Sequence, residues 1–304
     1  MKKVTKIFLT LLVFSLVLVG CGSSDDDKTN DTAGENSGST VESDTDNVAE
    51  DSADDNASVE PEGELFEVFS YNGLTLSTDK KFTTTDTGIE FALWVDNATE
   101  QNLTVMCEGA AVNLYMVDEE SFIGDVEAGT KAKIDGIITK ASLERSEIEE
   151  VAQLDLWLKI YDPATMDDFC DISKISIETE AAERIEVVEL DEGTQIYNNN
   201  DIRIVTKGIV KNEELGTWLE IYIENNTDKQ IAVTAKNVKV NGSDTEVLMY
   251  GNVYPQRMSV ENLQFYNSAL IVDGTNEIVF ELQIVEKNPT SLIETTEPIT
   301  VTAE

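Results

Sequence analysis

Gly88-Ile89-Glu90-Phe91-Ala92-Leu93-Trp94-Val95-Asp96-Asn97 reads as one β-strand, and Gly216-Thr217-Trp218-Leu219-Glu220-Ile221-Tyr222-Ile223-Glu224-Asn225 reads as the same strand again. In the first copy Ile89, Phe91, Leu93 and Val95 alternate with Glu90, Ala92, Trp94 and Asp96. An apolar and a polar face at period two are what an antiparallel sheet packed on one side requires. Both copies run into a polar segment, Asn97-Ala98-Thr99-Glu100 and Asn225-Asn226-Thr227-Asp228. Asn and Asp tolerate left-handed backbone, so these segments read as turns rather than as glycosylation acceptors.

The correspondence extends in both directions. Upstream, Leu74 and Leu76 match Ile202 and Ile204; downstream, Val105 matches Val233, and Val112-Asn113 matches Val240-Asn241. Further on, Leu156 to Ile160 matches Phe280 to Ile284, and Ile175 and Ile177 match Ile299 and Val301. The folded part is therefore an internal repeat, 65–180 and 186–304. Each copy has about 115 residues, an ordinary domain size. With six or seven short alternating strands per copy, the expectation is all-β: two tandem immunoglobulin-like antiparallel β-sandwich domains. One helix is expected over 142–151, with Ser146 and Glu149 as a capping box.

Ahead of the repeats the composition changes twice. Lys2, Lys3 and Lys6 precede an almost unbroken apolar run, 7–19. That run is shorter than the ~20 residues of a membrane span and fits the apolar region of an export signal. From 22 to 64 the chain is Ser, Asp, Glu, Asn, Thr, Gly and Ala with almost no large apolar residue. Such a stretch buries too little apolar area to offset ordering entropy and is expected to be a disordered acidic linker. A flexible linker of that length spans roughly 35 Å, more if like charges extend it.

Leu18-Val19-Gly20-Cys21 resembles the lipobox of bacterial lipoproteins. The resemblance implies that 1–20 is a discarded signal peptide and that Cys21 carries a diacylglycerol on its sulfur. Two acyl chains suffice for stable anchoring where one does not. The repeats, with strands ending Val-Asp-Asn or Ile-Glu-Asn, a polar turn, and a next strand ending Val-Asn, resemble the immunoglobulin-like domains of Gram-positive surface lipoproteins. That family implies no particular activity. The Cys…Trp…Cys spacing of antibody domains is absent.

The available chemistry is narrow. The chain has no histidine, which removes the commonest general base and His-based nucleophile pairs. It has 60 acidic against 21 basic residues, a net charge of −39. That field opposes nucleic-acid phosphates and favours cationic partners. No enzyme, cofactor, metal site or nucleic-acid partner is expected. With Cys21 lipidated, Cys107 and Cys170 remain. A bridge between them would close a loop of about 63 residues and stabilise by roughly 4 kcal/mol; equally, Cys107 has inward parity and reads as a small buried residue. On the strand 154–161 the leucines and Ile160 take the core, so Trp157, Lys159 and Tyr161 point outward. They span about 13 Å and form the candidate ligand face. The second copy has Glu281, Gln283 and Val285 there, so the repeat does not itself require the trio. The functional expectation is an extracytoplasmic, lipid-anchored module, held to the membrane through Cys21, that binds an envelope protein or glycan or acts as a spacer. The alternative is a solute-binding lipoprotein of a transport system.

Overall fold

The structure, a computed structural model, describes residues 63–120, 122–287 and 290–304. The expected export signal, the lipidated Cys21 and the acidic linker up to residue 62 lie outside the described residues. The first half carries β1 (Phe66–Tyr71), β2 (Leu74–Thr78), β3 (Thr83–Thr84), β4 (Gly88–Asn97), β5 (Leu103–Val112), β6 (Tyr115–Val117), β7 (Glu119–Glu120), β8 (Ile123–Val126), β9 (Thr130–Thr139), α1 (Lys140–Arg145), β10 (Gln153–Tyr161) and β11 (Asp168–Glu178). The second half carries β12 (Thr194–Asn198), β13 (Ile202–Asn212), β14 (Gly216–Asn225), β15 (Ile231–Val240), β16 (Ser243–Asp244), β17 (Val247–Leu248), β18 (Gly251–Val253), β19 (Arg257–Phe265), β20 (Asn276–Glu286), β21 (Ser291–Thr295) and β22 (Ile299–Ala303). The fold is all-β, as the alternation predicts.

Three sheets make two sandwiches. One outer sheet runs β1-β2-β4-β9-β7, and the other runs β16-β15-β20-β21 with β22 also on β20. Between them a single long sheet, β11-β10-β5-β6-β19-β14-β13-β12, belongs to both halves. Its only parallel pairing among the described strands is β6 with β19, where Tyr115 lies opposite Met258. The first core fills the space between β2, β4, β9 and β5, β10, β11: Leu74, Leu76, Leu93, Val105, Leu154, Leu156, Leu158 and Ile160 are buried there. The second core has Ile202, Ile204, Leu219, Ile221 and Ile223 against Ile231, Val233, Phe280, Leu282 and Ile284. Residues paired by the repeat thus occupy equivalent strands, and the inward parity of β4 and β10 is the one read from the sequence.

The turns explain why the strands stop where they do. Asn72 and Gly73 both have positive φ (46° and 92°), the primed-turn geometry that matches strand twist in the β1–β2 hairpin. Asn97 and Asn225 are fully buried and knit each strand end to two neighbouring segments. The Asn97 amide donates to the carbonyls of Gln101, Val126 and Glu127 at 3.0–3.1 Å, and its oxygen accepts from Thr99 N and Oγ1. Asn225 repeats this with Lys229, Val253, Tyr254 and Thr227. The helix differs from expectation. It covers Lys140–Arg145, its cap is Thr139, whose hydroxyl accepts from Ser142 N, and Ser146 closes it instead of opening it. Glu147 at φ 52° prevents continuation through the expected span.

Candidate functional site

The outer face of β10 is the face singled out in the sequence, and the second sandwich covers part of it. Trp157 is 7% exposed. Its ring lies 4.2 Å from that of Tyr254, at an interplanar angle of 35°, and the Arg257 guanidinium sits 5.6 Å from its centroid. Trp157 belongs to the second hydrophobic core together with Ala111 and Met116 of the first half. Trp157 points away from its own core, as its strand parity requires, and into the neighbour's. The expected open aromatic platform is therefore absent. Lys159 is ion-paired with Asp168 at 2.8 Å, and that hydrogen bond holds its ammonium above the usual lysine range. Tyr161 is half-buried at the strand end. The three residues share a strand face but not a common open surface.

Cys107 and Cys170 are not bridged. Cys107 on β5 lies opposite Leu158, and Cys170 on β11 lies opposite Ile160, so β10 runs between them. Two strand spacings put their Cα atoms about 10 Å apart or more, beyond the ~7 Å reach of a disulfide. Both thiols border the first core instead. Burial, with Asp171 adding to it, pushes the Cys170 thiol up to about 11.

Beside Trp157 the strand carries Asp155, which is fully buried. Its Oδ1 accepts from Gln153 Nε2 at 2.8 Å and Ser176 Oγ at 2.5 Å, and its Oδ2 accepts from Arg257 Nη2 at 2.5 Å. Arg257 also donates through Nη1 to the carbonyl of Gln256 at 2.7 Å. The Tyr254 hydroxyl donates to the carbonyl of Glu108 at 3.1 Å. Its ring lies so close over β5 that a Cβ on Gly109 would stand 2.6 Å from Cε2. Only glycine admits this approach.

The linker between the halves is fixed as well. The buried Tyr115 hydroxyl donates to the carbonyl of Val188 at 2.7 Å and accepts from Leu190 N at 2.8 Å. Val187 and Leu190 pack with Tyr115, Val205, Tyr222, Met258 and Val260 in a third, small core. Arg203 on β13 reaches Glu224, Asp191 and Glu189 at 2.6, 2.5 and 3.3 Å. Leu114 adopts φ 74°, a strained value for a branched residue, and its carbonyl accepts from Met258 N at 3.0 Å. Sequence reasoning missed Asp155, Tyr254 and Arg257. The available signal was a carboxylate at an outward position of an otherwise apolar strand, where the repeat has Val279.

No protein-family model matches the chain, and no curated protein matches it. Solved structures similar to it include the YadV chaperone, at 10% identity and a TM-score of 0.24, covering 76% of this chain and 99% of that one. A Salmonella enterica SafA pilin in complex with the SafB chaperone is similar at 12% identity and a TM-score of 0.22, covering 77% and 97%. The E. coli chaperone DraB is similar at 10% identity and a TM-score of 0.24, covering 76% and 96%. Similarity at these scores assigns neither family nor function.

Proposed function

We propose that this chain is a lipid-anchored extracytoplasmic protein, without catalytic activity of its own, that presents two β-sandwich repeats, 65–180 and 186–304, as one stiff body. In this reading it binds an envelope protein or glycan, or spaces another module from the membrane. The observation that carries the reading is the seam. One sheet passes through both sandwiches, and the polar groups buried along it, Asp155, Arg257, Tyr254 and Tyr115, bond to each other, to neighbouring side chains and to backbone, which ties the two sandwiches together. Such a body transmits position and offers surfaces; it does not close over a substrate. The solute-binding alternative calls for two α/β lobes around a cleft, and the described strands show no βαβ alternation.

The anchor is tested with labelled palmitate in a bacterial host. The wild type takes up label and fractionates with membranes, and Cys21→Ser loses both properties. A Cys21→Ser protein that still carries label overturns the anchoring. Cross-linking in intact cells, followed by recovery of the wild type, then identifies the envelope partner. Hydrolytic activity that copurifies with the folded protein and vanishes on one carboxylate substitution would overturn the non-catalytic reading.

A further inference from the structure

A cleft of about 340 Å³ opens where the segment after α1 faces the linker between the sandwiches. Tyr115 lines its floor, and Ile148, Val187 and Leu190 give it apolar walls. Glu147, Glu149 and Glu186 stand around it, exposed, and make no ion pair among the described residues. Glu150, also there, is taken by Arg184. Ser146 lines the same cleft. It is 3% exposed, and its hydroxyl, though buried, has no hydrogen-bond partner. A buried polar atom left unbonded is uncommon and costly. Its neighbours Asn113 and Tyr115 are bonded within the protein: Asn113 accepts from Ala152 N and Gln153 N and donates to the Glu150 carbonyl.

We infer that this cleft is a binding site for an organic cation with a short apolar stem, an ammonium or guanidinium group at the acidic rim and its hydrocarbon between Ile148, Val187 and Leu190. The volume lies at the lower end of small-ligand sites. The ligand must be cationic because three carboxylates face the opening without a counter-charge. It is organic because the walls are apolar and no group of three or more metal-capable side chains gathers among the described residues. Ser146 supplies a hydrogen bond that no protein group claims. The negative field extends to the floor: burial raises the Tyr115 phenol well above its ordinary value, the Leu190 N–H opposes this, and Glu189, Glu147 and Asp191 add to the rise. The chemistry suits a free alkylamine or alkylguanidine, or the same group on a basic side chain of a partner. The site belongs to the folded part and stands whether or not Cys21 is lipidated.

The test is calorimetric titration of the full-length protein in detergent with n-butylguanidinium, n-butylammonium and the neutral n-butylurea. Both cations bind with one site, and n-butylurea does not. Ser146→Ala weakens binding about fivefold, the worth of one net hydrogen bond, while the melting temperature stays level or rises because an unbonded buried hydroxyl has been removed. The triple change Glu147→Gln, Glu149→Gln, Glu186→Gln weakens it about tenfold or more, by loss of charge–charge attraction. A capped Gly-Arg-Gly peptide binding as well as n-butylguanidinium identifies a side chain carried on a partner; binding of the free cations alone identifies a small molecule. The inference is overturned if n-butylurea binds equally, if neither cation binds, or if both variants leave cation binding unchanged, since attraction would then come from the acidic chain at large.

Discussion

Asp155 Oδ2 and Arg257 Nη2 meet 2.5 Å apart, with side chains 0% and 6% exposed, and they belong to different sandwiches. Removing one partner of a buried ion pair leaves the other charged and desolvated. Asp155→Ala and Arg257→Ala are each expected to destabilise by about 3–5 kcal/mol. Replacing both with apolar residues, Asp155→Leu with Arg257→Met, removes the stranded charge and is expected to recover most of that loss. Urea denaturation of the four proteins measures the losses and the recovery. Single variants that lose less than about 1 kcal/mol would show the pair behaving as a surface contact.

Trp157 and Gly109 test the same seam through packing. Trp157→Ala opens a cavity against Tyr254 and is expected to lower stability by about 3–5 kcal/mol. Gly109→Ala drives a methyl group into the Tyr254 ring and is expected to lower it by about 1–3 kcal/mol. The double variant should lose less than the sum, because both act through one ring. Full additivity in thermal melts would mean that Tyr254 does not bridge them.

Strand class, repeat and inward parity were legible because each depends on neighbours in sequence: Leu74, Leu93 and Leu154 are buried for reasons their own strands state. The seam was not legible. Whether the outward side of β10 meets water or another sandwich depends on β6 pairing with β19, far away in sequence. Even so, the two edges differ visibly. The seam edge is Tyr115-Met116-Val117, all buried, while its repeat counterpart, Ser243-Asp244-Thr245, is polar and largely exposed. A polar edge discourages further strand pairing. The helix was misplaced because Ser146 and Glu149 satisfy a capping pattern while Thr139, at a strand end, caps in fact.

Asn225 donates to the buried carbonyls of Val253 and Tyr254 and to that of Lys229, which also accepts from Thr227 Oγ1. Asn225→Ala removes this donor from the two buried carbonyls and is expected to destabilise by about 2–4 kcal/mol, from a penalty of about 1–3 kcal/mol per unsatisfied group. Asn225→Asp is expected to be worse, since a carboxylate cannot donate. Asn97 should behave alike in the first sandwich. Guanidinium unfolding midpoints check the order; equal stability of Asn225→Asp and wild type would reject the amide network.

Cys170 supplies a chemical check. Its thiol titrates near 11 because burial disfavours the thiolate, with Asp171 adding to the effect. The thiolate is the reacting species. Iodoacetamide at pH 8 should therefore label Cys170 far more slowly in folded than in urea-unfolded protein, with the folded rate climbing as pH passes 10. Peptide maps should show no Cys107–Cys170 cross-link, because β10 separates the two strands. A cross-linked peptide in non-reduced native protein would refute this register.

Glu261 on β19 makes the seam region sensitive to pH. Burial, the largest cause, raises its carboxyl to about 7; the Ser259 hydroxyl and Arg145 lower it, and Asp118 raises it slightly. The Ser259 hydroxyl donates to Glu261 Oε1, and Gly251 packs against its Cγ side. In the unfolded chain a glutamate titrates near 4.3. Between about 4.3 and 7 the folded state thus binds more protons than the unfolded state, so this group's contribution to stability falls as pH rises. It is fully present below about 4.3 and lost above about 7. Glu261→Gln removes the titration while keeping shape. The variant should match wild type near pH 4, gain on it through pH 5–7, and remain more stable at pH 8. Urea midpoints of the two proteins across that range give the difference directly, and cancel the background from the many exposed carboxylates. A difference that does not change with pH would mean that Glu261 is solvated like any surface glutamate.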